Sequence, residues 1–435
     1  MCANCQQSGV PWRGVTRSRL VELARQHRVL LSNFSYLGLL EVVCLLVPLA
    51  IYPYLTRVLG KEVYGLVVTA QMVSGYASIF VDFGFRSVAA RYIAIHRDSP
   101  RLMSQIVSAI MGWRTLLWGG SLAVYLLVVW LVPTYRAHWV LFLSAYTLTF
   151  NELLFPQFFF QGIEKMRYIS LLNIALRLLS LVLVLTLIQT PHDYHYVPLF
   201  MGAGYLLAGV ASFVIMHRRE QVRLCWPRRM YMRYVLHDAL PLFGTNVVCS
   251  IKDKFSYLLI ASWVSMSSVL VYDLGARFLA LLAKPSAVIG MVLFPRLAST
   301  KSLRLFRQGR RIIFWSTLLL TLGVACLLPW LVPLFLPGVT DYWPLRIFLI
   351  AAPVLAVSTY VASEFLVAFN FGHYMFRSIL VTTVGYLVGL GLIVLLRLEH
   401  AVMPFVVLGV FSYSVELVYR VWVYRRKRRA FKVPE

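Results

Sequence analysis

The chain has 435 residues, 60% of them hydrophobic and 14% charged, with a formal net charge of +25. Charged residues make up about a quarter of an ordinary soluble domain, so the composition excludes one and indicates a polytopic membrane protein. A charge of this size also raises nucleic acid as a partner, a reading that depends on where the basic residues lie.

Residues 1–33 carry Arg13, Arg17, Arg19, Arg25 and Arg28 without an apolar core and cleavage site, so no cleaved signal peptide is expected. Leu20, Leu23, Ala24, His27 and Leu31 recur at helical spacing and predict an amphipathic helix on the cytoplasmic leaflet. Cys2 and Cys5 form a lone C-x-x-C without a second ligand pair, which reads as two free thiols rather than a zinc site.

From residue 34 on, apolar runs long enough to cross a hydrocarbon layer of roughly 30 Å recur along the whole chain. They predict twelve helical spans at 34–55, 64–83, 105–132, 139–160, 168–189, 197–216, 240–264, 269–294, 312–336, 345–369, 375–396 and 402–424. The alternating ten-residue strands of a membrane barrel are missing, so the predicted class is an all-α polytopic membrane protein.

Polar residues interrupt these spans in chain order. Glu41 lies in the first. Gln71, Ser74, Ser78, Asp82 and Arg86 form a stripe in the second, Arg114 stands alone in the third, and Asn173, Arg177 and Ser180 line the fifth. The seventh holds three consecutive charges, Lys252, Asp253 and Lys254. At about 100° per residue, Asn246, Ser250, Asp253, Lys254 and Tyr257 share a face, while Lys252 sits about 200° from Lys254 and points to a neighbouring helix or snorkels. In the eighth, Asp273, Arg277 and Lys284 lie four and seven residues apart on one edge, and the first two have ion-pair spacing.

With both termini and the even-numbered loops on one side, and Arg377 at the edge of the eleventh span counted with the loop before it, 30 of the 42 Lys and Arg residues fall there, 4 fall in the odd-numbered loops and 8 within spans. This asymmetry is a positive-inside signal. It places both termini in the cytoplasm and makes the basicity a topology device that also attracts anionic lipids. The basic tail 425–435 and the segment 217–239 each border a span, so no nucleic acid is expected as a partner.

Two matches at similar offsets suggest an internal repeat. Val63-Tyr64-Gly65 and Val271-Tyr272-Asp273 are 208 residues apart, and "FFQGIEKMR" (159–167) aligns with "FNFGHYMFR" (369–377) at an offset of 210. Both pairs fall at equivalent span junctions. The expected organisation is a cytoplasmic N-terminus (1–33), an N-lobe of six helices (34–216), a basic linker (217–239), a C-lobe of six helices (240–424) and the tail. Six spans is an even number, so the lobes share one orientation and their pseudo-two-fold axis runs along the membrane normal. The repeat also bears on Lys252–Lys254. A span from Phe255 to Tyr272 would leave them at the border, whereas the repeat ends the seventh span near Val264 and puts them mid-membrane.

A charge at bilayer centre costs about 2.5 to 3.5 kcal/mol on insertion scales, so these residues need water or partners. Helix-packing pairs that neutralise one another are the simpler reading of any one of them. For the set, the eight in-span cations outnumber the acidic candidates Glu41, Glu152, Asp253, Asp273, Glu364 and Glu416. A cationic cavity between two bundles suits an anionic substrate such as a phosphate or pyrophosphate. No P-loop is present, and no paired-carboxylate motif or metal cluster, so neither a cofactor nor a metal is expected, and the reading is a secondary transporter rather than an enzyme.

The segment "NFSYLGLLEVVCLLVPLAIYPYLTRVLGKEVYGLVVTAQ" (33–71) with "VDFGF" (81–85) resembles the start of Wzx-type flippases of O-antigen and related polysaccharides. These belong to the multidrug, oligosaccharidyl-lipid and polysaccharide exporter superfamily. "SLLNIALRLLS", "KDKFSYLLI", "VYDLGARF" and "LFPRLAS" resemble it more loosely. The resemblance implies a MATE-like pair of lobes that open alternately in a bacterial inner membrane. It implies a cargo of undecaprenyl-pyrophosphate-linked oligosaccharide moved to the periplasmic leaflet, coupled to a proton or sodium gradient. A polysaccharide polymerase and a chain-length regulator are the protein partners it implies. The family's Asp-Lys pair matches Asp253-Lys254 and its fifth-span Arg matches Arg177, whereas Glu41 stands where a neutral polar residue is more usual. The residues expected to hold the cargo are Lys254, Arg277, Lys284, Arg177 and Arg114. Those expected in coupling or lining the cavity are Asp253, Asp273, Glu41 and Asp82. A cation-coupled drug exporter of the same fold and a membrane glycosyl or acyl transferase are the alternatives.

Overall fold

A computed structural model describes residues 17–428, with side chains from Gly38 onward except those of Met291, Val292 and Pro295. Cys2, Cys5, Arg429 and the side chains of the amphipathic stripe from Leu20 to Leu31 lie outside the described residues. Every regular element among the described residues is helical.

The first span is the second part of a 43-residue helix, α1 (Arg17–Leu59), which stops at Gly60. α2 (Lys61–Asp82) runs back and is ended by two left-handed residues, Phe83 (φ 48°) and Gly84 (φ 78°), before α3 (Phe85–Ile95). α4 (Pro100–Leu131) starts with a proline, whose missing N–H is no loss in a first turn.

The single span expected at 139–160 is instead a chain of short pieces. α5 (Pro133–Ala137), α6 (Trp139–Tyr146), a 3-10 turn (Thr147–Thr149), α7 (Phe150–Leu154) and α8 (Gln157–Gly162) follow one another. The break before α8 has a local cause. Pro156 supplies no N–H and disfavours helical backbone at Phe155, which is extended (φ −95°, ψ 103°).

α9 (Met166–Leu187) and α10 (Tyr196–Glu220) lead to a short irregular stretch and then to α11 (Arg229–Trp263), which starts inside the expected linker. α12 (Met266–Thr300), α13 (Leu303–Phe335), α14 (Trp343–Val361), α15 (Gly372–Leu395) and α16 (Val402–Lys427) complete the chain. Ten helical segments among the described residues are long and apolar enough to cross a membrane. The two expected spans outside that set are the broken 139–160 and the one within α11. The latter is long enough but carries Lys252, Asp253 and Lys254.

The second pair of repeat junctions closes in the same way. Glu164 (φ 60°) and Asn370 (φ 64°) are left-handed. The next N–H in each case reaches back five residues, from Lys165 to the Phe160 carbonyl (2.9 Å) and from Phe371 to that of Leu366 (2.6 Å), a Schellman-type helix end.

α1 packs on α9, α9 on α10, and α2 on α4 and α6, while α12 packs on α13 and α14, α14 on α16, and α16 on α15. Two features tie these sets together. One is the crossing of α2 with α12, where a Cβ on Gly65 would fall 1.9 Å from the Met266 carbonyl oxygen. Beside it the Tyr52 hydroxyl donates to the Leu270 carbonyl at 2.8 Å, and Leu55, Leu59, Tyr64 and Leu336 are buried. The other is α11, which touches α2, α3 and α4 as well as α12, α15 and α16.

Near its start, α11 holds α3. Phe243 stacks on Phe83 with centroids 4.1 Å apart, and Asp238 accepts from Arg91 and, at 2.9 Å, from the Tyr92 hydroxyl. The Tyr92 hydroxyl, helped by His237 and Arg91, holds the Asp238 carboxyl below the usual range. This clasp is complete above the ordinary aspartate range and weakens only as pH falls through the lowered value.

Replacing Gly65 with Leu is expected to lower the thermal unfolding midpoint in detergent, by overpacking worth about 1 to 3 kcal/mol. Gly119→Leu, where a Cβ meets nothing within 4 Å, should leave it unchanged.

Candidate functional site

The crossing of α2 and α12 seals one end of the seam between the two helix sets. Toward the end that carries the basic loops, polar side chains of α1, α11 and α12 become exposed. Deepest in the seam, Arg277 Nε donates to Asp273 at 2.6 Å and the Tyr257 hydroxyl donates to the same carboxylate at 3.3 Å. The guanidinium lies 5.6 Å from the Tyr52 ring centroid. Asp273 is buried while a quarter of the Arg277 side chain is exposed. Nη1 and Nη2 of Arg277 have no hydrogen-bond partner among the described residues, so the arginine retains donors for a ligand.

About two turns along α12, Lys284 pairs with Glu41 of α1, and both side chains are substantially exposed. Cys44 of α1 lies within electrostatic reach of Arg177, Glu41 and Lys284. Arg177 lies on α9, which packs on α1, and its Nε is buried and unpartnered among the described residues.

Lys252 and Lys254 of α11 separate by direction, and Asp253 pairs with Lys252 at 3.6 Å. Lys254 Nζ donates to the Gly75 carbonyl of α2 at 3.1 Å and lies 5.9 Å from the Tyr76 ring centroid. The Asp253 side chain is 49% exposed. Lys252 turns to α16, where it donates to Glu416 at 2.7 Å. Glu416 also pairs with Arg420 at 2.6 Å, and Arg420 donates to Ser358 and Ser378. Lys252, Glu416 and Arg420 thus form a buried polar network.

The other side of Tyr76 faces an apolar groove of about 670 Å3 between α2, α4 and α11, lined among others by Val73, Phe80, Tyr125 and Leu258. Leu258 is one helical turn from Lys254. The lysine therefore stands at the wall that divides the polar seam from this groove.

Arg114 and Asp82 are not brought to the seam. Arg114 is 1% exposed. It donates to Asp82 at 2.8 Å and to the Glu152 carbonyl at 2.6 Å, and its guanidinium lies 5.0 Å from the Phe158 ring centroid. Arg86 holds the Glu152 carboxylate at 3.1 Å. The packing of α2, α4 and α7 buries these charges, and buried charges find one another. The pairing of Arg114, expected to hold cargo, with Asp82, expected to line the cavity, engages both charges away from the seam. It also moderates the cationic surplus, since the seam residues are four cations (Arg177, Lys254, Arg277, Lys284) and three carboxylates (Glu41, Asp253, Asp273).

Sequence reasoning missed Tyr76, which nothing in the local pattern marks, and the network at Glu416 and Arg420, whose four-residue spacing was a readable signal. Glu416→Ala leaves Arg420 buried without a carboxylate and Lys252 with only the half-exposed Asp253 at 3.6 Å, and a loss of about 3 to 5 kcal/mol is expected. Breaking the exposed Glu41–Lys284 pair should cost under about 1 kcal/mol. Thermal unfolding of the two variants in one detergent compares them directly.

A family model described as "Polysaccharide biosynthesis protein" matches residues 30–301. A protein of Escherichia coli (strain K12) named "Putative O-antigen transporter" is 30% identical over 183 residues, which is 42% of this chain and 44% of that protein. One of the same name from Shigella dysenteriae is 24% identical over 268 residues, 61% of this chain and 67% of that protein. The matched segment thus spans less than half of the first relative. Among solved structures, the lipid II flippase MurJ in an inward closed conformation gives a TM-score of 0.68 at 12% identity, covering 89% of this chain and 87% of that one. An outward-facing MATE family multidrug resistance transporter of the MOP superfamily gives 0.60 at 16% identity, covering 91% and 94%. At such identities the likeness is one of fold.

Proposed function

The chain belongs to the polysaccharide biosynthesis protein family, and from that premise we propose that it is a flippase for an undecaprenyl-pyrophosphate-linked oligosaccharide. The cargo would pass from the cytoplasmic to the periplasmic leaflet of a bacterial inner membrane by alternating access between two six-helix lobes, 34–216 and 240–424. The observation that carries this reading is the position of Lys254, on the wall between a polar seam and an apolar groove. An anionic headgroup attached to a long hydrocarbon chain is complementary to both sides of that wall.

In this reading Arg277, with two nitrogens unpartnered, and Lys254 hold the pyrophosphate, because charge-assisted hydrogen bonds to phosphate are the strong ones. Lys284 and Arg177 extend the cationic track toward the basic face. The prenyl chain stays in lipid or along the groove, so its apolar surface need not cross the polar seam. Sealing at the α2–α12 crossing corresponds to a state open on the basic side. The positive-inside distribution makes that side cytoplasmic, with both termini on it. A proton or sodium gradient drives the cycle, with Asp253, Asp273 and Glu41 as the seam carboxylates available for coupling. A polysaccharide polymerase and a chain-length regulator are the partners that would take the cargo on.

Complementation of a deletion strain tests the reading. Lys254→Ala and Arg277→Ala should insert normally, lose surface glycan and accumulate lipid-linked repeat units inside. Wild-type glycan from both variants overturns the assignment of these residues. Unchanged glycan in the deletion strain, with altered drug tolerance, would make the protein a drug exporter of the same fold.

A further inference from the structure

Glu364 was counted from the sequence among the acids available to pair with in-span cations, and it pairs with none of the described ones. It lies in the π-helical turn Ala362–Val367 that ends α14. Such turns are uncommon and frequently occur at functional sites. The residue is 2% exposed, and its Oε2 has no hydrogen-bond partner. Beside it is a cavity of about 460 Å3 between α12 and α14, lined by Ser286, Gly290, Phe294, Thr359 and Ser363. Gly290 allows the close approach, because a Cβ there would come 2.8 Å from Oε1.

The cations on the helices packed around this turn are engaged elsewhere. On α12, Arg277 pairs with Asp273 and Lys284 with Glu41. Just beyond α12, Lys301 donates to the Ala368 carbonyl. Arg310 of α13 lies over the Tyr424 ring and Arg377 of α15 over Tyr374, and Arg420 of α16 pairs with Glu416. Arg296 of α12, His373 of α15, and Arg425, Arg426 and Lys427 of α16 form no ion pair with Glu364. Tyr360, one turn before it, directs its hydroxyl to the Phe306 carbonyl. An ionised Glu364 would therefore leave a buried oxygen without donor or counter-charge, which a neutral carboxyl avoids. A metal ion fits less well. No second carboxylate among the described residues lines the cavity, so a cation there would have a single charged ligand.

We propose that Glu364 is a proton-binding site, reached from the basic face through the cavity between α12 and α14. It is distinct from the seam carboxylates, being near the last turn of its helix, and Lys284 and Gly290 on α12 are about 9 Å apart along the axis. The site exists whether or not the cargo assignment holds; only its use in driving transport rests on that reading.

The test is labelling of the purified full-length protein with dicyclohexylcarbodiimide, an apolar reagent that modifies protonated carboxyls, followed by peptide mass spectrometry. Glu364 should carry the adduct, and its yield should fall about tenfold or more as pH is raised from about 5 to about 9. Glu364→Gln should abolish the adduct in that peptide, and Gly290→Leu, which fills the cavity, should reduce it at every pH. No adduct at Glu364, or a yield independent of pH, overturns the proposal. So does protection by sodium at fixed pH where potassium at equal concentration gives none, since the occupant would then be a metal ion. Normal glycan export by Glu364→Gln alongside pH-dependent labelling would support the proton site and detach it from transport.

Discussion

A charge inside hydrocarbon must find a counter-charge, a hydrogen-bond partner or water, and the polar architecture of this protein follows from how each charged side chain meets that demand. Arg114 meets it with Asp82 and the Glu152 carbonyl, and Lys252 and Arg420 meet it by sharing Glu416. These groups fix helices to one another and have little left to offer a ligand. Arg277, Lys254 and Lys284 meet it only in part, with a single carboxylate, a backbone carbonyl or an exposed partner. The charges that fix helices and those of the seam thus differ in how much of each group is engaged, although even Arg114 keeps its Nε buried without a partner among the described residues. This difference coincides with the division between the packed interior of each helix set and the seam between them.

Much of the fold was legible in the sequence because its signals are one-dimensional. Run length located ten helices, among the described residues, long and apolar enough to cross a membrane, and the angular spacing of Lys252 and Lys254 separated their directions, as their contacts with Glu416 and Gly75 now illustrate. The break at Pro156 was less legible, since a proline within a span permits either a kink or an interruption. Its outcome also depends on packing, here the approach of Gly209 on α10 to Leu154 just before the break.

The site was legible only as an inventory of charges. Whether Arg114 faces a cavity or an aspartate depends on the rotation of α4 against α2, which spacing along one helix cannot report. The same limit hid Tyr76, whose role comes from lying on another helix opposite Lys254. It also made Glu364 resemble an ordinary pairing acid, although no cation among the described residues forms an ion pair with it. Residues with a partner one helical turn away were readable, and residues whose partners lie across a helix interface were not.

α11 is fastened near its start to α3 through Phe243 and Asp238 and near its end to α15 through Ser256, whose hydroxyl meets that of Tyr386. It therefore spans the seam as a tie-rod. Any relative rotation of the two helix sets would flex it between these fastenings, past Gly244, while Pro241 interrupts the helix within the first of them. The elastic work of such flexing would be a property of the chain itself. Relative rotation of the two helix sets would then carry a mechanical cost set by α11 and independent of whatever occupies the seam.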